Sequence, residues 1–96
     1  MKKVLNEPLM SFNTMGAFQK NSHIDVKYIA KAMGDSFILL AVIAGESHLL
    51  ERQRGGVRIF KTLNAVVSFL SRFFKVTKFE VEAEGWNKTK HKEIAA

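Results

Sequence analysis

Ninety-six residues with 47% hydrophobic side chains, eight Phe among them, can build one small packed core and little more. The chain has no cysteine, which excludes disulfides, thiolate metal sites and cysteine nucleophiles together and fits a reducing cytoplasm. Its net charge of +6, from fifteen Lys and Arg against nine Asp and Glu, favours a polyanion such as nucleic acid, or an acidic protein, as partner.

The first twenty residues contain no sustained apolar run, so no secretory signal is expected. The longest apolar run, Phe37 to Ala44, falls far short of the ~20 residues of a membrane helix, and no membrane association is expected either. Residues 1–21 scatter Leu5, Leu9, Met10, Phe12, Met15 and Phe18 without a period of 2 or 3.6. They read as an N-terminal arm packing through its Phe and Met side chains, or as a short edge strand around Leu9 to Phe12. Residues 22–86 read as a single domain, and 87–96 as a basic mobile tail.

Within that domain, Ser22 and Asp25 are candidate helix caps. Val26, Ile29, Ala30 and Met33 then share one helical face, and Gly34 supplies a stop, which predicts a helix over 24–33. Ser36 to Ala44 is apolar throughout after its first residue and rich in β-branched side chains, the pattern of a central strand buried on both faces. A second layer over its far face is expected, from the N-terminal arm or a second subunit. A turn at 45–47 leads to a return strand over 48–54, and Gly55-Gly56 makes a tight turn into a strand at 57–60. Thr62 caps a helix over 62–75, whose apolar residues at 63, 66, 67, 70, 73 and 74 form one face with Phe69 at its margin. Phe79, Val81 and Ala83 alternate with Lys78, Glu80 and Glu82 as in a half-buried strand. The fold expected is α+β: a small, mainly antiparallel sheet in the order β-β-β-α-β, covered by two helices near 24–33 and 62–75.

The stretch Val57-Arg58-Ile59-Phe60-Lys61-Thr62-Leu63-Asn64-Ala65-Val66, followed by Thr77-Lys78-Phe79-Glu80-Val81, resembles the C-terminal half of small plasmid-borne accessory proteins of the ParC-like, partition-associated kind. These carry a similar R-x-F-(K/R)-(S/T)-L-(D/N)-A-V stretch, an amphipathic helix and an F-(E/D)-V strand. The likeness covers about residues 37–86, and its motif is structural rather than catalytic. It implies an accessory protein of a mobile element working beside a DNA segregation system, and it transfers no active site.

No catalytic constellation stands out, and the chain reads as non-enzymatic. His23, His48 and His91 are not spaced to share a metal, and Ser36 and Ser47 lack a nucleophile's context. Gly55-Gly56 lacks the continuation of a phosphate-cradling loop. No cofactor or metal is expected. Arg52, Arg54, Arg58 and Lys61 are the candidate binding residues for nucleic acid or an acidic partner, since guanidinium groups gathered on one short hairpin repel unless an anion or carboxylates lie between them. Glu51 and the row Glu80, Glu82 and Glu84 are the internal carboxylates that would otherwise pair with them. Lys88, Lys90 and Lys92 add an electrostatic tail. An apolar central strand with an open sheet edge also predicts a homodimer.

Overall fold

The computed structural model describes residues 7–86. The chain ahead of the predicted first helix already enters a sheet and a helix of its own. Strand β1 (Leu9–Met10) is the expected short edge strand, and helix α1 (Phe12–Lys20) follows it directly. Ser11 caps this helix, its hydroxyl accepting from the Thr14 backbone N–H at 3.2 Å. Met15 on α1 is wholly buried, so residues 12–20 pack as a helix rather than as an extended arm.

The helix expected over 24–33 is instead strand β2 (Val26–Met33). It pairs antiparallel along its whole length with β3 (Ser36–Ile43), Val26 opposite Ile43 and Met33 opposite Ser36. The sequence fits both periods: Val26, Ile29, Ala30 and Met33 match a helix, but Tyr28, Ala30 and Ala32 alternate with Ile29, Lys31 and Met33 as in a strand. An apolar β3 needs a partner on each edge, and that pairing decides between them. Gly34 has a positive φ of 68°, as expected, but it serves a two-residue hairpin turn with Asp35 and not a helix end.

A second two-residue turn, Ala44-Gly45, joins β3 to β4 (Glu46–Leu50), with φ of 54° and 82°. Positive φ at both centres is the type I′ geometry that matches strand twist. β4 is shorter than the predicted 48–54. The chain leaves the sheet at Glu51 and returns as β5 (Ile59–Phe60), which pairs with β3 at Phe37 and Ile38 beyond the end of β4.

Helix α2 (Leu63–Phe69) is capped by Thr62, whose hydroxyl accepts from the Ala65 N–H at 3.0 Å, and it runs on into a π-helical turn, Leu70–Phe74. Lys75 closes it in a left-handed conformation at φ 60°. Val66, Phe69, Leu70 and Phe74 are buried, whereas Val67 and Phe73 are 45% and 50% exposed. Val66, Leu70 and Phe74 thus hold the expected stripe and Phe69 joins it from the margin, while Val67 and Phe73 leave it. A π turn places more residues in each revolution than an α turn, which carries Phe74 onto the sheet and Phe73 out of it.

β6 (Glu80–Glu82) completes a mixed sheet of six strands, in the order β1-β4-β3-β2-β6 with β5 beside β3. Its centre is antiparallel and its two outer pairings, β1 to β4 and β2 to β6, are parallel. The α+β class and the number of helices match the expectation, while the first helix stands at 12–20. Both helices cover one face, packing Met15, Val66, Phe69, Leu70 and Phe74 on Tyr28, Ala30, Ala32, Phe37, Leu39 and Ala41. The other face holds a smaller cluster of Ile38, Leu40 and Leu49, with Ile29, Met33 and Val57 packed against it. No described helix lies over it, so the second covering layer is not found among the described residues. Beyond β6, Gly85 lies so close to the Ala32 carbonyl that a Cβ would collide with it, and Trp86 stacks on Phe37 at 5.3 Å. No helix among the described residues is long and apolar enough to cross a membrane.

Leu70→Ala is expected to cost about 2–5 kcal/mol, as for a buried leucine leaving a cavity. Phe73→Ala should cost less than about 2 kcal/mol, since half of its ring already meets water. Denaturant midpoints of the two variants check this, and equal destabilisation would place Phe73 in the core. Tyr28, the lone tyrosine, is buried with its hydroxyl donating to Gln19 Oε1 at 2.8 Å, and burial pushes its pKa from 10.0 up to about 12. Because the folded state holds the proton more tightly, this contribution to stability is complete below pH 10 and is lost as pH rises towards 12. Phenolate absorbance should titrate near pH 12 in the folded protein and near 10 in denaturant; coincident curves would refute the burial.

Candidate functional site

The segment between β4 and β5 is a small hairpin loop. Glu51 bridges Val57, Arg52 N–H donates to the Gly56 carbonyl at 2.8 Å, and Arg58 N–H donates to the Leu50 carbonyl at 2.9 Å. Gly55 N–H closes the turn on the Arg52 carbonyl at 3.0 Å. Gly55 and Gly56 take φ of 92° and 81°, which side chains rarely permit. The two glycines are turn residues, as the sequence indicates.

The loop changes how the four predicted cations relate. Arg52 and Arg54 do not sit on one strand face, because the strand ends at Leu50 and Arg54 lies within the turn. The Arg52 side chain folds back, its Nε donating to the Gly55 carbonyl at 3.2 Å. Arg58 lies over two rings, its guanidinium carbon 5.0 Å from the Phe69 centroid and 5.2 Å from that of Phe60. Such contacts hold a long side chain in place without neutralising it. Arg52 and Arg58 thus line one groove together, while Arg54 and Lys61 are exposed outside its lining. Lys88, Lys90 and Lys92 lie outside the described residues.

The groove has a cavity of about 380 Å³ between the start of α1, the loop and the π turn. Phe12, Phe69 and Phe73 supply its aromatic wall, and Glu51 and Gln53 its polar rim. Two smaller cavities adjoin it. One, of about 250 Å³, reaches Ser11 and Asn13, and the other, of about 240 Å³, reaches Ser68 and Arg72. Phe12 meets Phe73 edge-on at 5.5 Å and stacks on Phe74 at the same distance, while Phe73 leans on Phe69 at 5.3 Å. The rings brace one another, yet Phe12 remains 37% exposed and Phe73 50%.

The carboxylates offered as internal partners are elsewhere. Glu80 and Glu82 lie on β6, across β3 and β2 from the loop, and Glu82 pairs with Lys31 at 3.9 Å. Glu51 shares the groove, but no described carboxylate comes within 4.0 Å of the guanidinium nitrogens of Arg52, Arg54 or Arg58. The sequence missed Phe12, Phe73 and Arg72 as site residues. Phe12 carries no local signal, the π turn takes Phe73 off the buried face that α-helical spacing assigns it, and Arg72 stands exposed on the polar face of that spacing, with nothing local to tie it to the loop. His23 is exposed in the turn after α1, and His48 lies in β4 with its buried Nδ1 lacking a hydrogen-bond partner. No three His, Cys, Asp or Glu side chains among the described residues gather as metal ligands would. No family model, curated protein or solved structure matches the chain.

Proposed function

We propose that this chain is a non-enzymatic accessory protein of a mobile genetic element that contacts DNA through the 51–58 loop. One observation carries the DNA contact: Arg52 and Arg58 converge on a surface groove with no described carboxylate within ion-pairing distance of either guanidinium. Two fixed cations in that setting attract phosphate, and Arg54 and Lys61, exposed outside the lining, add to the positive field. The mobile-element setting rests on the ParC-like resemblance of residues 37–86, and a cytoplasmic location on the absence of cysteine. Residues 26–33 form a strand, so α1 has no second helix after it to make a helix-turn-helix; the loop, not a recognition helix, is the contacting element.

A protein partner with an acidic surface is the second reading. Exposed Phe12 and Phe73 beside arginines favour it, because aromatic and Arg side chains dominate protein hot spots. The chain is also proposed to form a homodimer through the helix-free sheet face, where Leu9 and Ile59, 43% and 52% exposed, flank the buried cluster of Ile38, Leu40 and Leu49.

Titration with duplex and single-stranded DNA across about 50–200 mM salt should show affinity falling steeply as salt rises. Replacing Arg52, Arg54 and Arg58 by Gln should flatten the slope by about 0.9 for each duplex phosphate no longer neutralised, with the fold intact because all three are exposed. Absence of binding to either DNA at low salt would refute the DNA reading and leave the acidic protein. Light scattering at micromolar concentration should give twice the 10.9 kDa monomer mass; a monomer alone would remove the dimer.

A further inference from the structure

We infer that the groove takes single-stranded DNA, with an unpaired base stacked on Phe73 and in edge contact with Phe12, and the neighbouring phosphates on Arg52, Arg58 and Arg72. The inference rests on the DNA reading above and narrows it to one form of DNA. It also assigns roles to three residues outside the basic loop.

Phosphate contact alone does not account for this lining. An anion site needs cations and amide donors, whereas this groove is walled by rings braced from behind by buried Phe69 and Phe74 and left partly open to solvent. Arg58 already lies over Phe69 and Phe60, so the rings with open surface are Phe12 and Phe73. The adjoining cavities place Arg52 towards α1 and Arg72 towards the end of α2, with the rings between them. Cations along a track with aromatic platforms between them are the arrangement that binds single strands, where each base has a ring face to stack and each linkage a charge to neutralise.

The polar rim points the same way. Glu51 would repel a bare phosphate or an acidic protein, but a carboxylate accepts from the exocyclic amino group of a base, and Gln53 and Asn13 offer both donors and acceptors to base edges. Duplex DNA cannot use the platform, since its bases are already stacked on one another. The largest of the groove's three cavities, about 380 Å³, lies at the small end of ligand sites and suits one base with its sugar, not a long buried segment.

Fluorescence anisotropy with a labelled mixed-sequence DNA single strand, a ribo-strand of the same sequence and the corresponding DNA duplex tests the inference. The deoxy-strand should bind at least about tenfold tighter than the duplex, and Phe73→Ala should weaken it roughly five- to a hundredfold. Phe73→Tyr, which keeps the ring, should restore the affinity. Phe73→Ala should leave the salt slope unchanged, because every cation remains. Thermal melting of each variant establishes that it is folded. Duplex binding as tight as single-strand binding would overturn the inference, as would a folded Phe73→Ala protein with undiminished affinity. In either case, arginine-dependent binding to DNA would still stand. A ribo-strand preferred by more than about tenfold would overturn DNA as the occupant. Failure to bind any of the three at low salt would remove this inference and the DNA reading together.

Discussion

Strand β3 is apolar on both of its sides, and six of its eight residues are buried. Phe37, Leu39, Ala41 and Ile43 face the helices, and Ile38 and Leu40 face the other way, all of them nearly inaccessible. Such a strand can only be internal, and both its edges must be paired because buried backbone amides and carbonyls without partners are costly. β2 satisfies one edge over eight residue pairs, and β4 followed by β5 satisfies the other. Two-residue turns at each end fix the register, and a slip of one residue would exchange the two apolar faces. Ala44 holds a positive φ of 54° to make the second turn, a local strain that the paired strands impose.

The helical layer fits onto this strand by size. Ala30, Ala32 and Ala41 leave shallow ground on the sheet, and rings from the helices fill it. Phe74 is the common member, stacked with Tyr28 at 5.8 Å and with Phe12 at 5.5 Å, and edge-on to Phe69 at 5.4 Å. Through Phe12 the start of α1 is tied to the end of α2. β1 ties the same segment to β4, with Leu49 N–H donating to the Pro8 carbonyl at 2.8 Å and Glu51 N–H to the Met10 carbonyl at 3.0 Å. The groove beside the loop is a consequence of these two attachments. Its walls come from three separate parts of the chain, all anchored in the core.

The sheet also separates charge. Glu80 and Glu82 lie on the β6 edge beside Lys31 of β2, and the arginine loop leaves the sheet beyond β4, with β2 and β3 between. Opposite charges so far apart are largely screened from one another at ordinary salt. The loop therefore keeps its positive field for whatever approaches from outside, and the aromatic wall gives that approach a shape as well as a charge.

The central strand at 36–43, the Thr62 cap, the helix from 63 and the glycine turn at 55–56 were all legible in the sequence, because each depends on residues adjacent in the chain. So were the basic character of the 52–58 segment and the α+β class. The segment 26–33 was not: it satisfies helical and strand periods equally, and only the unpaired edge of β3 selects the strand. Nor was α1, whose residues show no clear stripe because Met15 alone is fully buried while Phe12 and Phe18 pack at the margins. The same division runs through the site. Local spacing supplied Arg52, Arg54, Arg58 and Lys61 as one candidate set, of which the structure brings only Arg52 and Arg58 into the groove, and Phe12 was brought in from forty residues away. Which segments are apolar, where the chain turns and where its positive charge lies are properties of neighbouring residues, and local order is enough to set them. Which faces are covered, that a π turn exposes Phe73, and that rings and arginines distant in the chain share one groove are set by long-range strand pairing and ring packing, which no local period encodes.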